Sequence, residues 1–306
     1  MNRRERVENI GMYRGGMSLN EAREQCYYRI VVLGDPHLPT RAYQKVNKII
    51  AAKNKVIEDI NTWKDVNQIV VVGDITARFG NKMEYCYARQ YFAQFNKPIS
   101  FIAGNHDYIY LDFVSPDGML ITGNAASQDK KLKRFKGTFG PLYYCQKVGR
   151  YLLIFLSPDM LNPYYLTQIS ERQLGWFRNL VLKSFSAPTI VFFHAPLAGT
   201  LFPYNNNINI PNYIPQPQKF IEEVINYNSQ IFLWISGHTH TSADNPSYMS
   251  NVNVFKGRVL NIHNADMDRS VIWTNSLYLY SNRVVVKTFN HTDDIWETDL
   301  ERVIYV

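Results

Sequence analysis

The stretch Ser236-Gly237-His238-Thr239-His240 sets two imidazoles one residue apart, directly after the apolar run Gln230-Ile231-Phe232-Leu233-Trp234-Ile235. On an extended segment, alternation points residues 238 and 240 to the same side, so one short segment offers two nitrogen donors to one place. A lone His-x-His pair is more often surface or core than ligand. Here four other apolar runs end in the same kind of chemistry. Asp35 and His37 follow Val31-Val32-Leu33, and Asp74 follows Ile69-Val70-Val71-Val72. Asn105-His106-Asp107 follows Ile99-Ser100-Phe101-Ile102, and His194 follows Ile190-Val191-Phe192-Phe193. Asp35, His37, Asp74, Asn105, His194, His238 and His240 make a candidate donor set of oxygens and nitrogens without thiolate, with His106 beside it. Such a set suits Mn²⁺, Fe or Zn²⁺ rather than Ca²⁺. Seven donors are too many for one ion with an open catalytic position, and about right for two ions if one carboxylate bridges them.

The elements that must carry these residues follow from periodicity. A strand is expected over 29–34, a helix over 41–62 with Val46, Ile49, Ile50, Val56, Ile57 and Ile60 near a 3.6-residue period, and a strand over 68–73. A helix over 83–95 and a strand over 98–103 complete a βαβαβ run, which implies a parallel sheet with right-handed crossovers. In open α/β sheets ligands bind outside the carboxyl ends of the strands, and all five clusters lie at such ends. Beyond this run, residues 108–123 read as loop, and a hairpin is expected around Gly149-Arg150. Helices are expected over 170–184 and 217–228. A long loop spans 195–217, a length usual for lids and binding loops. Short strands are expected over 258–262, 270–273, 276–280, 283–290 and 302–306. No repeat or linker divides the chain. Residues 1–28, with the capping-box pattern Ser18-Leu19-Asn20-Glu21, read as an arm laid over a single domain of 29–306.

Composition sets the class. A chain of 306 residues with 46% hydrophobic and 14% aromatic residues buries a sizeable core and is globular rather than disordered. No apolar run reaches the roughly 18–20 residues of a membrane span, and no apolar stretch follows the basic N-terminus as a secretory signal would require. The 3 cysteines, Cys26, Cys86 and Cys145, are scattered without metal spacing and read as buried or half-buried thiols in a reducing compartment, which gives a cytoplasmic expectation. The charge of +7 is densest at Lys130, Lys131, Lys133, Arg134 and Lys136, beside possible loop residues. That cluster is either a solvated face or an attractor of anionic substrate; it lacks the aromatic interleaving of a single-strand platform, so nucleic acid is possible but not favoured.

Gly34-Asp35-Pro36-His37, Gly73-Asp74, Gly104-Asn105-His106-Asp107, the lone His194 and Gly237-His238-Thr239-His240 together resemble the ordered motif set of the calcineurin-like metallophosphoesterase superfamily. The resemblance covers residues 34–240 and implies an α/β fold, a four-layer α/β/β/α sandwich of two mixed sheets with flanking helices. It also implies a binuclear centre of two metal ions (Mn, Fe or Zn), with Asp35, His37 and His240 on one, Asn105, His194 and His238 on the other, and Asp74 between them. His106 is then an unligated acid near the leaving group of a small phosphate ester. After Asp74, serine/threonine protein phosphatases carry Asp-Arg-Gly; here Ala77 stands at the Asp position and only Arg78 remains. Asp107 stands where those phosphatases have Glu. These departures favour the bacterial phosphodiesterase-like branch and leave Asp107 or a backbone carbonyl to orient His106, so His106 and Asp107 are the catalytic candidates.

Other residues admit plainer readings. His263 reads as a satisfied structural histidine, and His291 matches no motif. Arg78 is either a phosphate contact or surface cover. Tyr164, Tyr165, Phe202, Tyr204 and Tyr213 could stack on a substrate or cover a core edge. Two functions compete with a small-ester phosphoesterase: a metal-dependent nuclease using the 130–136 cluster, and a non-catalytic scaffold of the same fold. The scaffold reading is disfavoured because every donor and His106 are kept. Oligomeric state is not legible.

Overall fold

The computed structural model describes residues 27–202 and 210–306, so residues 1–26 of the expected arm, with Cys26, and Tyr204 and the Asn205–Asn207 run lie outside the described residues, while Tyr28, placed in the arm, opens the first strand. Strand β1 (Tyr28–Leu33), helix α1 (Val46–Thr62), β2 (Val66–Val72), α2 (Lys82–Phe92) and β3 (Ile99–Ile102) form the expected βαβαβ run. Its three strands pair in parallel, with Val31 opposite Ile69 and Val71 opposite Phe101. Helix α1 starts later than residue 41, and the freed segment becomes a loop over the carboxyl ends of the strands.

The stretch read as loop instead contains a two-stranded hairpin, β4 (Tyr110–Val114) and β5 (Leu120–Thr122), followed by helix α3 (Ala125–Phe139). Neither was legible. Most of β4 is exposed and shows no alternation. Helix α3 buries only Leu132, Phe135, Gln128 and Lys131, too few apolar residues to mark a face. Its start is fixed by Asn124, whose side chain accepts from the Ser127 amide at 2.9 Å.

Strands β6 (Tyr144–Val148) and β7 (Tyr151–Phe155) make the expected hairpin around Gly149-Arg150. Then follow α4 (Glu171–Lys183), β8 (Thr189–Phe192), α5 (Gln218–Tyr227), β9 (Ile231–Ser236), β10 (Val254–Phe255) and β11 (Val259–His263). Three long strands end the chain: β12 (Trp273–Leu279), β13 (Arg283–Asn290) and β14 (Ile295–Tyr305). The two short strands expected over 270–280 are one strand, and the last begins seven residues before the expected 302.

One sheet runs β14-β13-β12-β1-β2-β3, the other β10-β11-β9-β8-β7-β6. Period-two alternation explains the layers. Ile30, Val32, Val70 and Val72 face Leu153, Phe155, Phe192, Leu233 and Ile235 between the sheets. Val31, Leu33, Ile69 and Val71 face outward under α1 and α2 (Val56, Ile60, Ala88 and Phe92), with Phe135 of α3 in the same core. Val191, Phe193 and Trp234 pack on Phe177, Val181, Ile221 and Val224 of α4 and α5. The result is the expected four-layer sandwich.

Phe155 and Phe192 stack between the sheets with centroids 5.0 Å apart, both fully buried. Phe192 lies two residues before His194. Phe192→Ala is expected to destabilise the fold by about 3–5 kcal/mol, read from urea unfolding.

Candidate metal centre

Each candidate donor lies where a strand ends and the chain must turn. Asp35, His37, Asp74, His238 and His240 all adopt left-handed φ, between 36° and 65°. They are five of the nine described non-glycine residues with positive φ, so uncommon backbone is concentrated here. Conformations of this kind cost energy and cluster at functional sites. The expectation that strand alternation points His238 and His240 to the same side is therefore corrected: both residues are left-handed, not extended. Successive left-handed turns send them to the two ends of one cluster. The glycines beside them are needed for close approach: a Cβ on Gly104 would lie 2.3 Å from Asp74 Oδ1, and one on Gly237 would lie 2.4 Å from Asp35 Oδ1.

At one end, His37 Nε2 and His240 Nε2 are 3.2 Å apart, and Asp35 Oδ2 is 3.3 Å from His240 Nε2. Asp74 Oδ2 lies 3.8 Å from His37 Nε2. At the other end, His194 Nε2 is 3.1 Å from Asn105 Oδ1, 3.1 Å from His238 Nδ1 and 3.4 Å from Asp74 Oδ1. Donors bonded to one ion at about 2.0–2.2 Å sit roughly 3.0–3.5 Å from one another. Two triads, His37–Asp74–His240 and Asp74–His194–His238, could each hold an ion, and Asp74 is common to both. Among the described residues Asp35 Oδ1 is buried without a hydrogen-bond partner, an uncompensated cost that a cation would relieve.

Backbone carbonyls select the ring nitrogen that is left free. His194 Nδ1 donates to Val72 O at 2.8 Å, freeing Nε2. His238 Nε2 donates to Asn212 O at 2.9 Å, freeing Nδ1. The Tyr110 hydroxyl accepts from Asn105 Nδ2 at 3.3 Å, which turns Asn105 Oδ1 toward His194. Burial pushes His238 down to about 3 and His240 down to about 4, and holds His37 well below the usual range. These rings are neutral near pH 7, the form that binds metal. Burial opposes protonation of His194 as well, but the Asp74 and Asp35 carboxylates outweigh it and push that ring up to about 9. A bound cation would displace the His194 proton.

His106 does not join either triad. Its Nδ1 donates to the Arg78 carbonyl at 3.2 Å, and its backbone amide donates to Asp74 Oδ1 at 2.9 Å. The side chain lines a cavity of about 430 Å³ over the donor set. The backbone carbonyl thus orients His106, one of the two alternatives left by the sequence. Asp107, the other catalytic candidate, is corrected: its carboxylate accepts from the amides of Gly104, Thr76 and Ile75 and from Thr76 Oγ1, fully buried away from the cavity. It ties the turn after β2 to the turn after β3, which keeps Asp74 beside Asn105.

The basic cluster is also corrected. It lies on α3 rather than beside a loop, and Lys131 is buried, bonded to Phe79 O at 2.5 Å and paired with Asp112 at 2.6 Å. Arg134 donates to the Gly80 carbonyl. Two of the five cations are therefore spent inside the fold. His263 is buried against Thr200 O at 3.0 Å, as expected of a structural ring. Tyr213 lines the cavity, 5.3 Å from the His238 ring, whereas Tyr164 is exposed. Cys86 is exposed, against expectation, and Cys145 is half-buried. Sequence reasoning missed Arg41 and Tyr110 at the cavity wall.

A calcineurin-like phosphoesterase family model matches residues 28–242, a span that holds every candidate donor. The chain belongs to that family. Phosphoesterases of known structure share its fold. A dimetal phosphatase from Danio rerio superposes with a TM-score of 0.59 at 13% identity, covering 91% of this chain and 98% of that one. A purple acid phosphatase from yellow lupin (Lupinus luteus) gives 0.59 at 12% identity over 92% of this chain, which spans only 54% of the lupin protein. PhoD gives 0.57 at 11% identity, with 91% and 68% covered. No curated protein sequence matches the chain significantly. Among the described residues no helix is long and apolar enough to cross a membrane.

Proposed function

We propose that this phosphoesterase hydrolyses a small phosphate ester at a binuclear centre held by Asp35, His37, Asp74 and His240 on one side and Asp74, Asn105, His194 and His238 on the other. The observation that carries this is the pair of triads that share Asp74, with the free nitrogens of His194 and His238 set by backbone carbonyls toward the cluster. When bound, two such ions neutralise phosphoryl charge and lower the pKa of water, so that a nucleophile is available near neutral pH. The donor chemistry suits Mn, Fe or Zn.

The rest is done by the chain. Around a bound cation Asp74 and Asp35 would supply the negative charge, and the four rings would be neutral donors, His194 having given up its proton. Asn105, turned by Tyr110, adds an oxygen without adding charge. His106, held through Nδ1 by Arg78 O, keeps Nε2 for the ester oxygen that leaves. The cavity of about 430 Å³ suits a small substrate, and Leu166 and Tyr213 give it an apolar side. A diester substrate is favoured by Ala77 in place of the protein-phosphatase aspartate. The nuclease reading is weakened by the internal use of Lys131 and Arg134.

A panel of small mono- and diesters assayed with Mn²⁺ tests the reading. Turnover should be abolished by a chelator, restored by metal, and highest on diesters. Turnover that survives exhaustive chelation would contradict a metal-dependent hydrolase.

A further inference from the structure

We propose that Arg41 anchors the substrate's phosphoryl group, taking the part that Arg78 would have if it faced the site; this deepens the phosphoesterase reading and rests on it. Arg41 lies on the loop between β1 and α1, four residues after His37. Its stem is fixed: Asp268 Oδ2 accepts from the Arg41 amide at 3.0 Å and from Nε at 3.4 Å. Asp268 is itself held by Thr40 Oγ1 at 2.5 Å and by the buried Lys53 Nζ at 2.9 Å. Lys53 also donates to His37 O at 3.0 Å and Pro39 O at 2.9 Å, so the loop that carries a metal donor and Arg41 is built as one piece.

The end of the guanidinium is not used in this way. Nη1 has no acceptor among the described residues, and Nη2 lies 3.3 Å from His240 Nδ1. With Nε2 given to a bound metal, the neutral ring would carry its hydrogen on Nδ1 and could not accept from Arg41. The Asp266 carboxylate lies 3.8 Å from that His240 Nδ1. The fork is left as an unspent cationic donor on a side chain 29% exposed. Among the described residues, Arg41 is the only Lys or Arg in the cavity wall. Arg78 is committed elsewhere, with Nη2 donating to Arg41 O at 2.8 Å and its guanidinium 4.7 Å over the Tyr43 ring. A phosphoryl group offers the acceptor oxygens that a planar fork fits, often two at once.

The test uses metal-loaded protein, with inorganic phosphate as probe, titrated by calorimetry, and metal content measured in parallel. Loss of a hydrogen bond to a charged group should make Arg41→Gln weaken phosphate binding about 10- to 100-fold while both metals stay bound. Arg41→Lys, which keeps charge but not the fork, should fall between. Should Arg41→Gln fold poorly, the lysine variant alone decides: weaker phosphate binding supports the proposal and wild-type affinity overturns it. Equal affinity in wild type and both variants overturns the role of Arg41 and leaves the phosphoesterase reading intact. A metal-loaded wild type that binds no phosphate overturns both.

Discussion

Asp74→Asn is expected to release both metals and to lower kcat/KM by about 10³-fold or more. The two donor triads have this carboxylate in common, with Oδ1 3.4 Å from His194 Nε2 and Oδ2 3.8 Å from His37 Nε2. An amide keeps the shape but removes the charge and leaves only one good acceptor oxygen. Stabilisation of transition-state charge by such a centre is worth several kcal/mol, and each 1.36 kcal/mol is a factor of about ten in rate. His240→Ala is the control, because His240 belongs to one triad alone and its loss should weaken mainly one ion. Elemental analysis reads the difference directly. Two tightly bound metals and unimpaired turnover in Asp74→Asn would show that Asp74 is not shared.

His106→Asn is expected to keep both metals and lose about 10²- to 10⁴-fold in rate on alkyl esters, with a far smaller loss on a p-nitrophenyl ester. The side chain lines the cavity but enters neither triad, and its Nδ1 is occupied by the Arg78 carbonyl. Nε2 is the atom left to give a proton to the departing oxygen. An alkoxide needs that proton and a nitrophenolate does not. Burial, reinforced by Arg41, holds His106 below its ordinary range despite the opposing Asp74 carboxylate. The acid form is therefore lost as pH rises through that lowered value, and the wild-type ratio of alkyl to nitrophenyl activity should increase toward lower pH. Equal losses on the two esters in His106→Asn would assign this ring to the phosphoryl group instead. A lost metal would place it among the ligands.

The strands are legible in the sequence because they are buried on both faces, which leaves continuous runs such as Ile69-Val70-Val71-Val72, followed by a glycine and a polar donor. The donor set is legible because the turns at the carboxyl ends carry Asp, Asn and His where a core would not. What stays hidden has physical reasons. The hairpin of β4 and β5 is mostly solvated, and α3 buries cations through their carbonyl and carboxylate partners, so neither shows a hydrophobic period. Asp107 sits beside His106 in sequence, yet the single 3₁₀ turn Asn105–Asp107 sends it into backbone amides on the far side. Arg41 reads in the sequence as the start of a helix. Only the carboxylate of Asp268, more than two hundred residues away, shows that it is fixed at the cavity wall.

The most direct test of the account is the metal stoichiometry of the wild-type chain, stripped with a chelator, reloaded with Mn²⁺ or Zn²⁺ and washed before elemental analysis. The shared Asp74 and the inward-facing nitrogens of His37, His194, His238 and His240 predict two ions per chain, with ester hydrolysis returning as they bind. A chain that retains one ion or none, or that hydrolyses esters equally well before reloading, would contradict it.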